Sequence, residues 1–470
     1  MALSRIWSAF IIISIITAAI TSIFSTDGKD VFGKMIVGKA GDTTHTKYID
    51  SASLPKNVAA ALIINKDFKY DNDIKYSKTA DGKFIVYNEQ SSDGVIATCT
   101  SAVNICLGLI GIMALFMGFM SIAEKAGGIR FLSRLIKPFF SKLFPEVPDG
   151  HPAFGLMMLN FSANLLGLDN AATPFGIKAM ESLQEINPDK STASNAQIMF
   201  LCLHASGLTL IPVSVIALRA KQGAVNPTDI FIPCMIATFV ATITAMLIVS
   251  FKQKINVFQP VILLWVLGIS SLIALLVVYA HHLDQDSMNT FSGFISNGII
   301  LLIFLFVILG GLYKKINIYD AFIDGAKGGF ETAIRIIPYL VGMLVAISML
   351  RTSGVFDVVL NSLQHLFAVV GFDTRFVKGL PTALLKPLSG SGARGMLVDT
   401  MKTYGADSFA GKLSSIFVGT SDTTFYVVAV YFGAVSVKHI RYSIGVMLLA
   451  DLVGIITAIL LAYLFFGNAA

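Results

Sequence analysis

The chain has 470 residues, of which 55% are hydrophobic and only 14% are charged, and its formal net charge is +6. Soluble domains carry roughly 25% charged residues, so this composition excludes an ordinary water-soluble protein and predicts a polytopic membrane protein. The positive charge suits basic loops at the cytoplasmic face of a membrane. Nucleic-acid binding is not expected, because no basic run carries interleaved aromatic residues that could stack on bases.

The four cysteines, Cys99, Cys106, Cys202 and Cys234, all lie in apolar segments. No two of them form a CxxC pair, and no histidine lies beside them at the spacing of a metal site. They are expected to act as small buried hydrophobic residues. The sequence therefore predicts no disulfide framework, no metal site and no cofactor.

The N-terminal segment Ile6–Phe24 is an uninterrupted apolar run. At ~1.5 Å per residue it is just long enough to cross a bilayer as a helix. A secretory signal peptide is the competing interpretation. We favour a retained transmembrane helix over residues 1–24, because no small-x-small cleavage motif follows the run.

Residues 25–94 are polar and rich in lysine and aspartate, unlike the rest of the chain. Two β-prone pieces, Ala60–Ile64 and Phe84–Tyr87, and the turn pair Asp81-Gly82 predict a small extramembrane domain with some β hairpin. It contains no recognisable catalytic constellation. Its single histidine, His45, is expected at the surface.

Beyond this domain, long apolar runs alternate with short polar connections, which predicts an all-α membrane protein with about nine to eleven membrane-crossing segments. Two amphipathic pieces, Phe131–Phe144 and Val355–Val370, are expected to lie along the membrane surface. The predicted apolar or interrupted segments are Val95–Ala123, His151–Leu183, Asn195–Leu218, Ile230–Phe251, Pro260–Tyr279, Ile295–Leu312, Ala321–Arg351, Lys386–Tyr431 and Ile440–Phe466.

The distribution of lysine and arginine gives an orientation. If Met1 is cytoplasmic, residues 25–94 lie outside, and the basic piece Phe131–Phe144 falls inside, as the positive-inside rule requires. The lysines that follow Ile230–Phe251 and Ile295–Leu312 also fall inside. Arg219 and Lys221, near the end of the intervening segment, fall outside and do not fit.

Polar residues, glycine and proline interrupt two of the apolar stretches. Such polar groups are costly in hydrocarbon unless they pair or face water. Interrupted segments at corresponding places in two halves are typical of a transport site near the membrane midplane. Pro174 is expected to begin the second half-helix of the first stretch. The candidate solute-binding residues are Asn164, Asp169, Asn170, Thr173 and Thr209 in the first half, and Lys386, Ser389, Ser391, Arg394, Ser421, Asp422, Thr423 and Thr424 in the second.

The run GSGARG, which starts at Gly390, matches the dinucleotide-binding pattern GxGxxG. That interpretation is disfavoured because the pattern should follow a strand, whereas the preceding residues include Pro387 and lie at membrane depth. Exposed N–H groups before a helix over Met396–Tyr404 would instead attract an anionic or polar ligand, and Arg394 and Lys386 would add positive charge. The alternative is that the glycines only allow close helix packing.

The run GTSDTT places several polar side chains in a second apolar stretch. Asp422 is expected to pair with Arg394 or Lys386, or to bind a cation, and a purely structural ion pair is the alternative. A serine hydrolase centred on Ser421 is disfavoured, because the run lacks the final glycine of GxSxG and no histidine lies nearby. His204 is expected to be a hydrogen-bonded core residue, with a proton relay as the alternative.

The two halves repeat one order of segments: a span, an amphipathic piece, an interrupted segment, a polar break and a final span. The orientation given by the charges makes the two repeats inverted relative to each other. The predicted domains are residues 1–24 (transmembrane helix), 25–94 (extracytoplasmic domain), 95–255 (first repeat), 256–317 (linking transmembrane helices) and 318–470 (second repeat).

Several strings resemble a known family. NAATPFGIKAM and LTLIP resemble spore maturation protein A, and PLSGSGARGM, TSDTTFYVVAVYFG and RYSIGVMLLADLVGI resemble spore maturation protein B. The chain is similar to a fusion of the two, within the nucleoside-recognition or gate-domain group, with residues 25–94 as an insertion. The resemblance implies a transporter-like protein of the bacterial inner membrane, without implying that nucleosides are its substrate. Lys386 stands where the family leads us to expect arginine, and His204-Ala-Ser206 where it leads us to expect Asn-Thr-Ser.

These observations predict a non-enzymatic membrane protein that moves a small polar or anionic solute by alternating access, with Asp169 or Asp422 binding a coupling cation. Membrane lipid and a second copy of the chain in a homodimer are the other expected partners, and nucleic acid is not one. The alternative is a non-transporting membrane scaffold for envelope or spore-type maturation that acts through residues 25–94.

Overall fold

The structure is a computed structural model. It describes residues 2–24, 30–49, 67–69, 74–78, 84–148, 150–165, 169–207, 209, 211–283 and 285–467, without the side chains of residues 39–93 and of a few positions elsewhere. The predicted strand Ala60–Ile64 and the turn pair Asp81-Gly82 lie outside the described residues. The chain divides into two compact units, one built mainly from residues 3–102 and 344–362 and the other from residues 103–343 and 363–470.

The first unit contains two helices and a sheet. Helix α1 is Ala2–Phe24 and α2 is Val31–Ile36. The strands are β1 (Gly38–Ile49), β2 (Asp67–Lys69), β3 (Ile74–Lys78) and β4 (Phe84–Asp93). They form an antiparallel sheet in the order β1-β4-β3-β2.

The apolar side chains of this unit gather in a small cluster. Ala18 of α1 and Val31 and Met35 of α2 are buried together, with Met349 packed against them. Most of the remaining face of α1 is apolar and exposed, as expected for a helix whose surroundings are lipid rather than water.

The rest of the chain is helical in the described ranges. Its helices are α3 (Val95–Lys125), α4 (Gly128–Phe140), α5 (Pro152–Leu165), α6 (Asp169–Glu185), α7 (Asn195–Ala205), α8 (Val213–Lys221), α9 (Phe231–Gln253), α10 (Pro260–His281), α11 (Gln285–Tyr313), α12 (Ile318–Thr352), α13 (Val355–Val369), α14 (Leu380–Leu385), α15 (Gly390–Tyr404), α16 (Phe409–Gly419), α17 (Thr424–Ala434) and α18 (Ser443–Phe466). Short 3₁₀ turns follow α4 at Ser141–Leu143 and precede α14 at Arg375–Gly379.

Eight helical stretches among the described residues are long and apolar enough to cross a membrane. The protein is therefore a multi-pass membrane protein. The count is below the nine to eleven crossings expected from the sequence, because the first interrupted region contributes only helices that are individually too short. The four helices of the first interrupted region, α5 to α8, have 14, 17, 11 and 9 residues.

The same order of helices occurs twice. A long helix (α3, then α12) precedes a short amphipathic helix (α4, then α13). A helical hairpin follows (α5–α6, then α14–α15), then a broken helix (α7–α8, then α16–α17) and a final span (α9, then α18). The amphipathic lead-in and the span predicted at Ala321–Arg351 form one continuous helix, α12, of 35 residues.

Glycines let α3 and α12 approach closely. A Cβ atom built on Gly325 would lie 2.3 Å from the carbonyl oxygen of Met117, and one built on Gly329 would lie 2.7 Å from the backbone of Ala114. Such contacts, spaced four residues apart, let two membrane helices pack backbone to backbone.

Two predicted helix starts are wrong. Pro174 does not begin a half-helix, since α6 begins at Asp169 and carries the proline inside it. The glycine-rich motif is not a loop before a helix at Met396, because α15 already begins at Gly390. The Ser389 side chain caps this helix by accepting a hydrogen bond from the Gly392 N–H at 3.0 Å, which allows the helix to start inside the motif.

Candidate functional site

The two broken helices meet at their breaks. Helix α7 ends at Ala205, and α16 ends at Gly419. Across the gap, the backbone N–H of Asp422 donates to the carbonyl oxygen of Ala205 at 2.7 Å. A helix end leaves backbone groups without hydrogen-bond partners inside the helix. Here a backbone N–H at the second break supplies the partner for a carbonyl oxygen at the first.

The two helical hairpins lie beside these breaks. In α5–α6, the Asn160 side chain donates to the carbonyl oxygen of Ala172 at 2.6 Å and ties the two arms together. In α14–α15, the Pro387 carbonyl oxygen accepts the N–H of Phe425 at 3.0 Å. A Cβ atom built on Gly390 would lie 2.8 Å from the Thr423 hydroxyl oxygen, so this glycine permits the approach of hairpin and break.

A cavity of about 120 Å³ lies where these elements converge. Both halves of the chain contribute polar side chains to its wall. Six of the predicted site residues line it, namely Asn164, Thr209, Lys386, Arg394, Ser421 and Asp422. His204, Ser214 and Thr332 add polar groups, and Met113 and Met117 form an apolar side.

The charges in this wall are unequal. Arg394 is partly exposed, and within the described part of the chain its guanidinium makes no hydrogen bond or ion pair. Lys386 contributes a second positive charge, and the carboxylate of Asp422, with 49% of its side chain exposed, contributes one negative charge. Of the alternatives predicted for Asp422, which were pairing with Arg394, pairing with Lys386 or binding a cation, the ion pair with Arg394 is not formed among the described residues. The formal charges of the wall leave an excess of positive charge.

Asp422 faces His204 instead. The distance from His204 Nε2 to Asp422 Oδ2 is 3.7 Å, and the histidine is only 3% exposed. Its Nδ1 atom lies 2.7 Å from Asn164 Nδ2 and 3.0 Å from Asn160 Oδ1. Nδ1 can accept from Asn164 or donate to Asn160, but it cannot do both in one tautomer, so the tautomer decides whether Nε2 presents a proton to Asp422.

Five further predicted residues, all with described side chains, do not line the cavity. Ser389, Thr423 and Thr424 are buried in helix contacts, and the Ser391 hydroxyl lies 3.1 Å from that of Ser389. Thr173 lies on α6 beside the hydroxyl of Tyr431. The side chains of Asp169 and Asn170 lie outside the described residues.

The sequence analysis missed one buried carboxylate next to the break. Asp451 of α18 is 6% exposed, and its Oδ2 atom accepts a hydrogen bond from the hydroxyl of Thr424, which is fully buried, at 2.6 Å. A lone acidic residue inside an apolar span is itself a sequence signal of a functional or paired group. Thr332 of α12 gave no such signal, because it lies in a segment that predicts only an amphipathic helix.

A second cluster of charges lies away from the cavity. Arg219 is fully buried, and its Nη2 atom lies 2.9 Å from Asp229 Oδ1 and 3.1 Å from Asp407 Oδ1. Lys412 Nζ lies 3.0 Å from Asp229 Oδ2. Arg219 is thus neutralised inside the protein, which explains why it does not obey a rule written for exposed loop charges.

These features define a class. The chain is a multi-pass membrane protein in which two hairpins and two broken helices, one of each from each half, contribute to the wall of a polar cavity.

Comparison with known proteins names the family. A family model described as "Gate: Nucleoside recognition" matches residues 106–222 and 333–438. Spore maturation protein B of Bacillus subtilis (strain 168) is 44% identical over 175 residues, which cover 37% of this chain and 97% of that protein. Spore maturation protein A of the same organism is 43% identical over 157 residues, which cover 33% of this chain and 80% of that protein. No solved structure matches.

The chain therefore belongs to the gate-domain family of spore maturation proteins A and B, and it is consistent with a fusion of the two. The resemblance noted in the sequence is confirmed.

Proposed function

We propose that this protein is a transporter that moves a small anionic solute across the membrane through the cavity at the two breaks. The observation that carries the proposal is Arg394, a guanidinium in the cavity wall without an ion-pair partner in the described part of the chain. An unpaired charge at membrane depth is costly and marks a ligand or ion pathway. An anion bound there would supply the missing partner.

The residues of the wall take distinct roles in this proposal. Arg394 and Lys386 hold the anionic group, since guanidinium and ammonium groups form strong charge-assisted hydrogen bonds with carboxylates and phosphates. Asn164, Thr209 and Ser421 donate or accept further hydrogen bonds. Asp422 binds a coupling cation, and Asp169 is the second candidate for binding it. His204, which lies beside Asp422, is a neighbouring group that can take up a proton.

An inverted relation between the repeats is part of the proposal, and contacts between loops support it. The α6–α7 loop pairs with the α17–α18 loop through Ser191, whose carbonyl oxygen accepts the N–H of Lys438 at 2.9 Å. The α15–α16 loop pairs with the α8–α9 loop through Asp407, which accepts the N–H of Val225 at 2.8 Å. The broken helix α7–α8 therefore runs from the first loop pair to the second, whereas α16–α17 runs from the second to the first.

Antiparallel broken helices of this kind suit alternating access, in which one repeat rocks against the other around a fixed site. We place the protein in the bacterial inner membrane, with residues 25–94, including the β-sheet, on the extracytoplasmic side. Most of the loop charges support this orientation, and Arg219 is an internal, paired charge. The exposed Lys221 is the one named misfit that this pairing does not explain.

A hydrolase function is not part of the proposal, although Ser421 does have a histidine near it in space. His204 lines the same cavity, contrary to the expectation from sequence. A serine–histidine–aspartate relay needs one ring nitrogen for the serine and the other for the aspartate. Here Nδ1 lies within hydrogen-bond distance of Asn160 and Asn164, and Nε2 faces Asp422, which leaves no ring nitrogen for Ser421.

The transport proposal can be tested with purified protein in proteoliposomes. Uptake of radiolabelled inorganic phosphate, succinate and uridine monophosphate would be compared with uptake of uncharged uridine. We expect uptake of at least one of the anions and a much lower rate in the Arg394→Ala variant. A charge-assisted hydrogen bond contributes about 1.5–3 kcal/mol, so the loss in affinity should be at least about tenfold.

The matched control is Arg335→Ala, which removes an exposed arginine of α12 that does not line the cavity. It should transport like the wild type. Wild-type uptake in Arg394→Ala, with normal insertion of both variants, would refute the proposed role.

A scaffold function is the second candidate, because the names of both relatives refer to spore maturation rather than to transport. In that case the unit that holds the β-sheet would bind a partner in the cell envelope. Deletion of residues 25–94 separates the two proposals. A transporter should keep its uptake, whereas a scaffold should lose its phenotype entirely.

A further inference from the structure

A second cavity shares part of its wall with the first. It too has a volume of about 120 Å³, and it lies among α4, α5, α7, α9 and α10. Asn164 and Gly207 line both cavities. The wall between the two cavities is therefore formed in part by the side-chain amide of Asn164 and by Gly207, which has no side chain.

The second cavity differs in chemistry from the first. Among the residues that the structure describes, no charged side chain lines it, and its polar side chains include Asn164 and Thr242. Five aromatic rings form much of its wall: Phe139, Phe140, Phe161, Phe239 and Trp265. This surface suits a hydrocarbon chain, because such a chain makes no hydrogen bonds and its burial is favoured by about 25 cal/mol per Å² of apolar area.

Aromatic contacts continue from this cavity towards the first. Phe140 stacks on Phe161 with ring centroids 4.5 Å apart, and Phe161 contacts Phe200 at 5.4 Å. Phe200 in turn lies 6.2 Å from His204, which lines the polar cavity. The apolar and polar cavities therefore lie at two ends of one continuous set of packed rings.

The apolar cavity is also placed for entry from lipid. One side is formed by α4, an amphipathic helix, and another by α10, a candidate span that is largely exposed in the structure. Lipid is the expected neighbour of such an exposed apolar surface.

From these observations we propose that the transported solute is an anionic amphiphile, whose headgroup binds at Arg394 and Lys386 and whose hydrocarbon tail occupies the apolar cavity. This inference rests on the proposed function and specifies the class of solute. The competing occupant is an acyl chain of a bilayer lipid, which would fill the apolar cavity independently of the polar cavity.

The sequence provides a direct reporter, because Trp7 and Trp265 are its only tryptophans. A Trp7→Phe variant leaves Trp265, in the wall of the apolar cavity, as the single fluorophore. The purified full-length variant would be placed in nanodiscs of non-brominated phosphatidylcholine. It would then be titrated with a monoalkyl phosphate that carries bromine on its chain, and with the uncharged alcohol of the same brominated chain.

We expect the brominated alkyl phosphate to quench Trp265 saturably and the alcohol to bind at least about tenfold more weakly, since it lacks the charge-assisted hydrogen bonds of the phosphate. Adding Arg394→Ala or Lys386→Ala to this variant should weaken binding of the alkyl phosphate and leave binding of the alcohol unchanged. Arg335→Ala serves as the matched control and should change neither. Inorganic phosphate should compete with the alkyl phosphate only when both basic residues are present.

The inference would be overturned if the alkyl phosphate and the alcohol quenched Trp265 equally and neither Arg394→Ala nor Lys386→Ala changed the quenching. That result would assign the apolar cavity to acyl chains of the bilayer. Absence of quenching by both probes would also overturn it. In either case, Arg394-dependent uptake of a small hydrophilic anion would leave the proposed transport function standing, so the two failures can be told apart.

Discussion

The backbone N–H of Asp422 donates a hydrogen bond to the carbonyl oxygen of Ala205 at 2.7 Å, although the two residues are far apart in the sequence. This contact joins the break in one broken helix to the break in the other. Polar backbone is tolerated at membrane depth only where protein buries it or water reaches it. Here the two breaks bond to each other and also border a polar cavity.

The hydroxyl of Thr424 should be needed for stability, because it donates to the buried carboxyl of Asp451 at 2.6 Å. We expect Thr424→Val to lower the free energy of unfolding by about 1–3 kcal/mol, the cost of leaving a buried polar group without its partner. Thermal unfolding in detergent measures the change. Thr457→Val is the control, since Thr457 lies on α18, the helix that carries Asp451, and in the described part of the chain its hydroxyl bonds only to the Val453 carbonyl oxygen. Equal losses in the two variants would contradict the assigned pair.

The buried arginine of the second charge cluster should be more sensitive still. Arg219→Ala leaves Asp229 and Asp407 without their guanidinium partner. Removal of one member of a buried ion pair costs about 3–5 kcal/mol. Lys125→Ala breaks an exposed pair with Asp324 and should cost no more than about 1 kcal/mol. Chemical denaturation would give the free energy of unfolding of both variants. A similar small loss in both would show that the buried charge cluster does not stabilise the protein.

Two neighbouring glycines of α12 should respond to alanine with opposite sign. A Cβ on Gly325 would lie 2.3 Å from the carbonyl oxygen of Met117, whereas no atom of the described residues lies within 4 Å of a Cβ on Gly328. Gly325→Ala must push α3 and α12 apart, and overpacking costs about 1–3 kcal/mol. Gly328→Ala should gain about 0.5–1 kcal/mol from helix propensity. The melting temperatures of the two variants, compared with that of the wild type, test this prediction. A rise in both would refute close packing at Gly325.

The membrane class and the positions of most helices could be predicted from the sequence, because long apolar runs leave few alternatives. The family resemblance followed from strings such as NAATPFGIKAM and was confirmed. The start of α15 could not be predicted, because a run with three glycines predicts a loop, and only the cap by Ser389 and the contact at Thr423 explain a helix there.

The candidate site was predicted only in part. Residues of the hairpins and of the breaks, such as Asn164, Arg394 and Asp422, do line the cavity. The threonines at 423 and 424 belong to the same polar run but turn into helix contacts, because a run of polar residues at a break does not reveal which side chain faces the cavity. The partner of Asp422 could not be foreseen either, since His204 lies in the other half of the chain.

The most direct test asks whether water reaches the junction of the breaks. Ser421 lines the cavity, whereas Ser415 of the adjoining helix is fully buried and bonds to the Gly411 carbonyl oxygen. Ser421→Cys and Ser415→Cys would be treated in detergent with a negatively charged methanethiosulfonate, against the parent protein as background. Rapid labelling of Ser421→Cys alone, slowed by Arg394→Ala, is the expected result. No labelling of Ser421→Cys, or equal labelling at both positions, would contradict a water-filled anion site between the two repeats.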